Sequence, residues 1–320
     1  MRVGLIDVDG HNYPNLALMR LSSYHKSKGD LVEWWWSDLV HYDIVYMSKV
    51  FSAKYSPDVP EPLNADLVIK GGTGYAIEEA DGREIYHKEL DPDLMPEIER
   101  CFPDYSLYPD LVRDTAYGHL TRGCPRACPF CLVSAKEGRK SCQVAELGDF
   151  YAGQKNIKLM DPNILACKDR DSLIDNLIDS RAYIDFTQGL DIRMTDKDVA
   201  DQLGRMRVKR IHFAWDNPKE DLTDNFRRFT DWYRRKSSSG KSVYVLTNFN
   251  SQTEEDLWRI YTLRDLGYDP YVMIYDKPNA PKITKDLQRW CNSKAIFRQC
   301  PDFADYKSGT GSGTLMAAEI

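Results

Sequence analysis

Apolar residues in the first part of the chain form short runs separated by one amphipathic stripe. Residues 3–8 are largely apolar and continuous, as in a parallel strand that is buried on both faces. Apolar side chains then recur at helical spacing until Lys28 and Gly29, a pair suited to a helix end. Further strands are predicted at residues 31–36, 44–48 and 67–70. This alternation predicts a flavodoxin-like or Rossmann-like open parallel sheet over residues 1–80.

The periodicity weakens over residues 81–114 and then resumes. Charge and proline dominate this stretch, which predicts a connector with a short helix near residues 96–101. Six later apolar runs, most about 30 residues apart, match the length of βα units. These runs are residues 117–121, 157–160, 184–187, 211–215, 243–247 and 271–275. They predict a partial (βα)6 barrel of the TIM type over residues 115–300, followed by a flexible tail over residues 301–320.

Two helices in the second half carry apparent start signals. Thr195 is followed three residues later by Asp198, and Ser251 is followed by Glu254 at the same spacing. A hydroxyl with an acidic residue three positions on is the pattern of a capping box. We therefore predict that one helix begins after Thr195 and another after Ser251.

Composition narrows the class of protein. The chain has 320 residues, of which 42% are hydrophobic and 29% charged, as in ordinary globular proteins. No apolar run is long enough to span a bilayer and the first residues do not resemble a signal peptide, so a cytoplasmic location is expected. The net charge of −6 gives no general attraction to nucleic acid. Eight cysteines in such a chain favour metal or redox chemistry over disulfides.

Three of these cysteines lie close together in the sequence. Cys124, Cys128 and Cys131 form a CxxxCxxC pattern, with Phe130 directly before the last cysteine. Thiolates are the usual ligands of iron–sulfur clusters, and three of them leave one iron of a four-iron cube open to another ligand. A structural zinc site is the alternative, although zinc prefers four ligands in paired units and no second pair lies nearby.

This cysteine pattern resembles that of the radical S-adenosylmethionine (SAM) superfamily. The resemblance implies that Cys124, Cys128 and Cys131 hold a [4Fe-4S] cluster whose fourth iron binds SAM. It also implies reductive cleavage of SAM to a 5′-deoxyadenosyl radical that acts on an unactivated carbon, with a flavodoxin or ferredoxin as electron donor. The family fold is a partial (βα)6 barrel with the cysteine loop after its first strand. The apolar run at residues 117–121 lies at that position.

Polar residues follow five of the predicted barrel strands. They lie at residues 161–163, 188–193, 216–217, 248–250 and 276–277. Turns also favour such residues, but five successive strand ends favour a site at the carboxyl edge. The resemblance assigns the ribose and carboxylate of SAM to Gln188, Asp191 and Arg193. It places Asp161 and Asn163 near the amine of SAM, although the family's Gly-Gly-Glu stretch is absent.

A histidine on the fourth predicted barrel strand is a candidate for proton transfer. Strand alternation puts His212 on the same face as Asp216. If this face lines the barrel, His212 could move a proton during the reaction. A hydrogen-bonded core histidine is the alternative.

The N-terminal region resembles the cobalamin-binding domain that precedes many radical SAM barrels. The resemblance is carried by Asp9, Gly10 and His11 after the first strand, by Ser48, and by the pair Gly71 and Gly72. It implies that His11 is an axial ligand of cobalt, that Ser48 contacts the displaced base, and that the glycines make room for the nucleotide tail. Pro14 and Val50 depart from the family pattern. A structural domain without cobalamin is the alternative.

These features lead to three hypotheses. The first is a radical SAM enzyme that modifies an unactivated carbon, with cobalamin-dependent methyl transfer as one form of the reaction. The second is a radical SAM enzyme without cobalamin that catalyses epimerisation, rearrangement or sulfur insertion. The third is an iron–sulfur or zinc protein that performs no catalysis. Relatives that modify tRNA leave an RNA substrate open, but the acidic charge does not support it.

Overall fold

The computed structural model describes residues 1–10, 12–80, 83–233 and 240–307. The strands are β1 (Arg2–Asp7), β2 (Leu31–Trp34), β3 (Tyr42–Ser48), β4 (Ala65–Gly71), β5 (Ile77–Ala80), β6 (Arg83–Tyr86), β7 (Thr115–Gly118), β8 (Thr121–Arg122), β9 (Cys142–Gln143), β10 (Asn156–Leu159), β11 (Tyr183–Phe186), β12 (Val208–Ala214), β13 (Lys241–Thr247) and β14 (Asp269–Ile274). The α-helices are α1 (Leu16–Ser27), α2 (Pro96–Glu99), α3 (Pro109–Val112), α4 (Val133–Lys136), α5 (Arg170–Ser180), α6 (Lys197–Arg205), α7 (Thr223–Trp232), α8 (Thr253–Asp265), α9 (Lys282–Asn292) and α10 (Lys294–Gln299).

The chain is a mixed α/β protein with parallel sheets, as the pattern predicts. The N-terminal sheet has four strands in the order β2-β1-β3-β4, and its pairings are parallel. The chain order reverses between β1 and β3, which is the switch point where open α/β sheets bind ligands. Helix α1 buries Leu18 and Leu21 against Val3 and Leu5 of β1.

Helix α1 begins and ends where the sequence predicts. The side chain of Asn15 caps its start by accepting a hydrogen bond from the backbone N–H of Leu18 at 3.2 Å. The amide Nδ2 of Asn15 also donates to the hydroxyl of Ser48 at 2.8 Å, which ties the helix start to the end of β3. The helix ends at Ser27, and Gly29 follows with a φ of +82° that favours glycine.

The connector and the four residues before it contain more regular structure than the weak periodicity predicts. Strands β5 and β6 form an antiparallel hairpin. The short helix α2 confirms the predicted helix, and Ile98 on it is buried against the cluster under α1. The hairpin has only four residues per strand, too few for a strong period-two signal.

The remaining parallel strands form a sheet of six, in the order β14-β13-β12-β11-β10-β7. Strand β10 pairs in parallel with β7 and β11, and β13 pairs in parallel with β12 and β14. Every one of these strands overlaps a predicted apolar run. The closure of the sheet into a barrel of the TIM type stays a prediction.

The first of these strands is shorter than predicted. The run at residues 117–121 is not one strand, because β7 ends at Gly118 and β8 pairs separately and antiparallel with β9. A Cβ atom on Gly118 would lie 2.3 Å from the ring of Phe150, so this position requires glycine. The backbone then turns so that Leu120 and Thr121 donate to the carboxylate of Asp161 instead of continuing the ladder.

Both predicted capping boxes are wrong in position. The hydroxyl of Thr195 donates to the carbonyl of Ile192, and Asp196 accepts from the N–H of Val199 at the start of α6. The second box is formed one residue later than predicted, by Gln252 and Glu255. Glutamine can accept the same backbone hydrogen bond as serine, and a pattern search for hydroxyl residues misses it.

The chain divides into two compact units, which are described separately below. Unit 1 comprises residues 1–190 and 201–209, and unit 2 comprises residues 191–200 and 210–320. Unit 1 thus contains the whole predicted N-terminal domain, the connector and the segment with the three cysteines. In the described residues, no helix is both long and apolar enough to cross a membrane.

Candidate functional site

In unit 1, the three cysteines lie on a loop that a short hairpin closes. Strands β8 and β9 pair Thr121 with Gln143 and Arg122 with Cys142. Within the loop, the N–H of Cys124 donates to the carbonyl of Gly138 at 3.1 Å. The N–H of Cys131 donates to the carbonyl of Cys128 at 3.0 Å. These bonds hold the three thiols on one compact segment.

The backbone of this loop has two unusual positions. Gly123 has a φ of +89°, and a Cβ atom there would lie 2.2 Å from the carbonyl oxygen of Lys140. Its N–H donates to Oε2 of Glu137 at 3.0 Å. Ala127 has a φ of +47° between the first two cysteines, a conformation that non-glycine residues adopt rarely. Strain of this kind is concentrated at functional sites.

The thiols are spaced more widely than the ligands of one zinc ion. All eight cysteines lie in the described residues, and none is in a disulfide. Within that part of the chain, no three thiols lie within 4.8 Å of one another, whereas tetrahedral zinc would hold sulfur atoms about 3.8 Å apart. His41, Asp43 and Asp66 do converge within 4.8 Å, but His41 pairs with Asp66 and Asp43 accepts from the N–H of Arg2.

Asp161 fixes the chain that leads into the cysteine loop. Its buried carboxylate accepts from the N–H of Leu120 at 3.1 Å, and from the N–H and hydroxyl of Thr121 at 2.5 and 2.7 Å. Burial raises the pKa of Asp161 to about 6 despite these donors. The carboxylate is therefore engaged by the protein's own backbone. Its predicted contact with the amine of SAM stays a prediction.

Asn163 lies beside the first cysteine of the motif. Its Nδ2 donates to Sγ of Cys124 at 3.7 Å, and its carbonyl accepts from the hydroxyl of Ser141 at 2.9 Å. The side-chain oxygen Oδ1 is buried and has no hydrogen-bond partner. A buried amide oxygen without a donor is costly, so this atom fits a site for a ligand that brings an N–H group.

A cavity of about 360 Å³ lies in unit 1 at the carboxyl ends of β3 and β4. Arg122 and Lys136, which flank the cysteine loop in the sequence, are part of its wall. The other lining residues are Ala17, Leu18, Leu21, Tyr46, Met47, Ser48, Ile69, Lys70, Gly71, Gly72, Asp91, Pro92, Asp93, Leu94, Met95, Ile98 and Glu99. Its size and mostly apolar lining are those of a small-molecule site.

Three residues of the predicted cobalamin signature line this cavity, namely Ser48, Gly71 and Gly72. Gly72 is required by the fold itself, because a Cβ atom there would lie 2.4 Å from the carbonyl oxygen of Lys49. The space beside Gly71 is open. Asp9 is buried and accepts from the N–H groups of Val50 and Phe51. The predicted cobalt ligand His11 lies outside the described residues.

In unit 2, the two predicted SAM residues Asp191 and Arg193 contact each other. Asp191 caps a 3₁₀ helix and accepts from Nε of Arg193 at 2.6 Å. Arg193 also donates to Oε2 of Glu220 at 2.8 Å. The third predicted residue, Gln188, belongs to unit 1 and its side chain is exposed. Contacts of these residues with SAM stay predictions.

Two further charged residues of unit 2 are Asp216, which lies at one of the predicted polar strand ends, and Arg259, which has no place in the sequence prediction. Burial raises the pKa of Asp216, which follows β12, to about 6. The buried guanidinium of Arg259 donates to the carbonyls of Trp215 and Leu246 and to Asp256. Asp216 could be found because it follows a predicted strand. Arg259 could not, because its acceptors are distant in sequence.

His212 is buried on β12 and stacks on the ring of Tyr244, with the ring centroids 5.1 Å apart and the planes 10° from parallel. A stacked and buried imidazole is typical of a packed sheet face. Its role in proton transfer stays a prediction.

Comparison with known proteins adds no assignment of function, since no protein-family model and no curated protein matches the chain.

Proposed function

We propose that the protein is a radical SAM enzyme. The observation that carries this proposal is the CxxxCxxC segment, held on a hairpin-closed loop that follows a strand of a six-stranded parallel sheet. The motif offers three cysteines and no second cysteine pair lies nearby in the sequence, which favours an iron–sulfur cluster over a four-ligand zinc site. The left-handed conformation of Ala127 and the glycine requirement at Gly123 further support a loop shaped for a ligand.

The residues present fit a [4Fe-4S] cluster with SAM bound to it. Cys124, Cys128 and Cys131 would hold the cluster, which when bound supplies the electron that cleaves SAM. The unpartnered Oδ1 of Asn163 is suited to accept a hydrogen bond from the ammonium group of SAM. Asp161 would act one step away, by fixing Leu120 and Thr121 and thereby the direction in which the loop leaves the sheet.

A form of this activity without cobalamin is favoured by the packing at the glycine pair. In unit 1, the space beside Gly72 is taken by the carbonyl of Lys49, so this glycine makes no room for a nucleotide tail. The cavity at Ser48 and Gly71 has about 360 Å³, near the lower end of the range for drug-sized ligands, and cobalamin is much larger than these. Epimerisation, rearrangement or sulfur insertion are the reactions of this form.

One anoxic assay tests both parts of the proposal. The protein is reconstituted with iron and sulfide, with and without hydroxocobalamin, and supplied with SAM and a strong reductant. Mass spectrometry then quantifies 5′-deoxyadenosine and S-adenosylhomocysteine. We expect 5′-deoxyadenosine in both samples, no increase in S-adenosylhomocysteine with hydroxocobalamin, and no cobalt retained after desalting.

Two cysteine variants provide the matched control. Cys128→Ala removes a ligand and should abolish both iron retention and 5′-deoxyadenosine. Cys142→Ala removes an exposed cysteine outside the motif and should leave both unchanged. Equal product from the wild-type protein and Cys128→Ala, or no product from either, would contradict an enzymatic role. A single zinc ion per chain in that case would favour the non-catalytic metal protein.

A further inference from the structure

One face of the N-terminal sheet in unit 1 is only partly covered. The crossover from β3 to β4, residues 49–64, is described throughout and contains no helix, although parallel strands are usually joined by one that covers the sheet. Helix α1 packs on Val3 and Leu5 of β1. Leu67 and Ile69 of the edge strand β4 are in register with these two residues through β3, yet they are exposed at 49% and 37%. The cavity of about 360 Å³ lies over this face, with α1 and α2 in its wall.

The wall of this cavity changes from apolar to polar along the strands. Tyr46 is the register partner of Ile69, and two residues further on Ser48 is the partner of Gly71. All four line the cavity. Because side chains alternate along a strand, these four positions share one face, and Tyr46 packs against the cluster that contains Leu18 of α1. The cavity therefore has an apolar body over the middle of the strands and a polar end at their carboxyl ends.

The charged residues of the wall balance one another. The cationic ones are Lys70, Arg122 and Lys136, and the anionic ones are Asp91, Asp93 and Glu99. Each of them forms an ion pair within the described part of the chain, such as Lys136 with Asp91 at 2.8 Å and Arg122 with Glu99 at 3.3 Å. The wall thus carries no net charge that would select a ligand. Selection depends instead on hydrogen-bond donors that the protein leaves unused.

Two such donors lie at the polar end of the cavity. The hydroxyl of Ser48 accepts from Nδ2 of Asn15 at 2.8 Å, but its own O–H has no acceptor among the described residues, and only 7% of Ser48 is exposed. The ammonium group of Lys136 has three N–H donors, and its described contacts are with Oγ1 of Thr73 and with the carboxylate named above. Thr73 lies two residues beyond Gly71, the register partner of Ser48, so both donors belong to the same end.

We propose that this cavity binds a small amphipathic molecule with an apolar body and a carbonyl group at its polar end. The carbonyl oxygen accepts from the hydroxyl of Ser48 and from the ammonium group of Lys136. The body lies over Ile69, where burial of apolar surface favours binding. A carboxylate and an amide both present this oxygen. The site goes beyond the proposed function and needs neither the cluster nor SAM, because its residues lie outside the cysteine motif.

The test is isothermal titration calorimetry of the full chain near neutral pH and at one ionic strength. The probes are sodium hexanoate and hexanamide, with sodium acetate and acetamide as short counterparts and hexylamine as a counterpart without an acceptor. We expect saturable binding of hexanoate, hexanamide or both, and a loss of about fourfold in affinity for each methylene removed from the chain. Hexylamine should bind at least about tenfold more weakly, because its ammonium group cannot accept. Binding of hexanoate alone identifies a carboxylate ligand, and binding of hexanamide an uncharged carbonyl ligand.

Gly71→Leu fills the cavity without removing a contact. A Cβ atom at Gly71 meets no heavy atom within 4 Å, and the φ of this residue lies outside the left-handed region, so the fold accommodates a side chain there. This variant should lose saturable binding while its free energy of unfolding is unchanged or higher. Lys136→Met removes one donor and should weaken binding at least about tenfold, with the same dependence on chain length.

Two further proteins make the result specific. Lys168→Met removes an exposed lysine of unit 1 outside the cavity and should bind the probes like the wild-type protein. Cys128→Ala should also bind them normally, which separates this site from radical SAM activity. Circular dichroism confirms that each variant is folded. No saturable heat with hexanoate and hexanamide, equal affinity for hexylamine, or unchanged binding by Gly71→Leu would overturn the proposal.

Discussion

Two buried arginines, one in each unit, have opposite surroundings. Arg259 in unit 2 is fully buried and donates to two strand-end carbonyls and to the carboxylate of Asp256. Arg20 in unit 1 is almost as deeply buried, yet no described acceptor contacts its guanidinium. The first arrangement is complete without a ligand. The second leaves the buried Nε of Arg20 without a described acceptor.

The difference shows that burial of a charged side chain has opposite consequences with and without hydrogen-bond partners. A buried charge that is fully bonded holds the structure together, and its loss is expected to reduce stability. A buried charge without partners contributes no such bonds and is expected to reduce stability while it stays unbound. The amide oxygen of Asn163 belongs to the second kind, since it too is buried without a donor. Groups of this second kind are the better indicators of ligand sites.

The largest expected effect is that of Arg259→Met. The change leaves Asp256 as a buried charge without its partner and removes the donor from the carbonyls of Trp215 and Leu246. Loss of one partner of a buried ion pair costs about 3–5 kcal/mol of the free energy of unfolding. Urea unfolding of the full chain, with hydrogen exchange in β12 and β13, measures this loss.

A matched variant on the same helix controls for the loss of an arginine. Arg264→Met removes a partly exposed side chain that pairs with Asp265 at 3.3 Å and donates to the carbonyl of Pro301 at 2.6 Å, and it should cost about 1–2 kcal/mol. The double variant Arg259→Met with Asp256→Leu should recover part of the loss, because it no longer buries a lone carboxylate. A loss no larger than that of Arg264→Met would show that Arg259 is not a structural centre of unit 2.

Sequence patterns predicted the elements of this fold better than the contacts between them. The strands of the two parallel sheets, α1 and the parallel α/β class follow from local apolar periodicity, which is visible along the chain. The early end of β7 depends on Asp161, whose carboxylate binds Leu120 and Thr121 from about 40 positions away. No local pattern contains that interaction.

At the candidate site, too, local sequence patterns are recognisable and contacts between distant residues are not. The three cysteines are recognisable because cluster ligands have a fixed spacing within one loop. Arg20 does not stand out in the sequence, because its burial depends on how α1 packs. Asp191 and Arg193 were predicted to contact SAM, and within unit 2 they also contact each other, which the sequence did not show.

The next largest effect on the free energy of unfolding concerns two aspartates. Like the two arginines, one has hydrogen-bond partners in the protein and the other has none among the described residues. Burial raises the pKa of both Asp161 and Asp216 to about 6, but Asp161 accepts hydrogen bonds from three donors and no such donor to Asp216 is seen in the described residues. A carboxyl with a raised pKa in the folded state favours folding fully below its unfolded value near 3.8. This contribution is lost as the pH rises to about 6.

Asp216→Asn should therefore raise the free energy of unfolding above pH 6, by up to about 3 kcal/mol for a shift of about two units. It should also remove about half of the decrease in stability between about pH 4 and pH 6, since Asp161 titrates in the same range. Urea unfolding at a series of pH values measures both quantities.

Asp161→Asn should instead reduce stability at every pH, because an amide cannot accept from all three donors. A loss of stability in Asp216→Asn above pH 6 would show that its charge is compensated in the fold.

The smallest expected effect has the opposite sign to that of Arg259→Met. In a buffer that contains only chloride, Arg20→Met removes a buried charge that no acceptor contacts, and methionine retains much of the packing of the arginine stem. The free energy of unfolding should stay constant or rise by up to about 1 kcal/mol. If Arg20→Met lowers stability in chloride by as much as Arg259→Met does, then Arg20 has a partner within the protein and the contrast between the two arginines is removed.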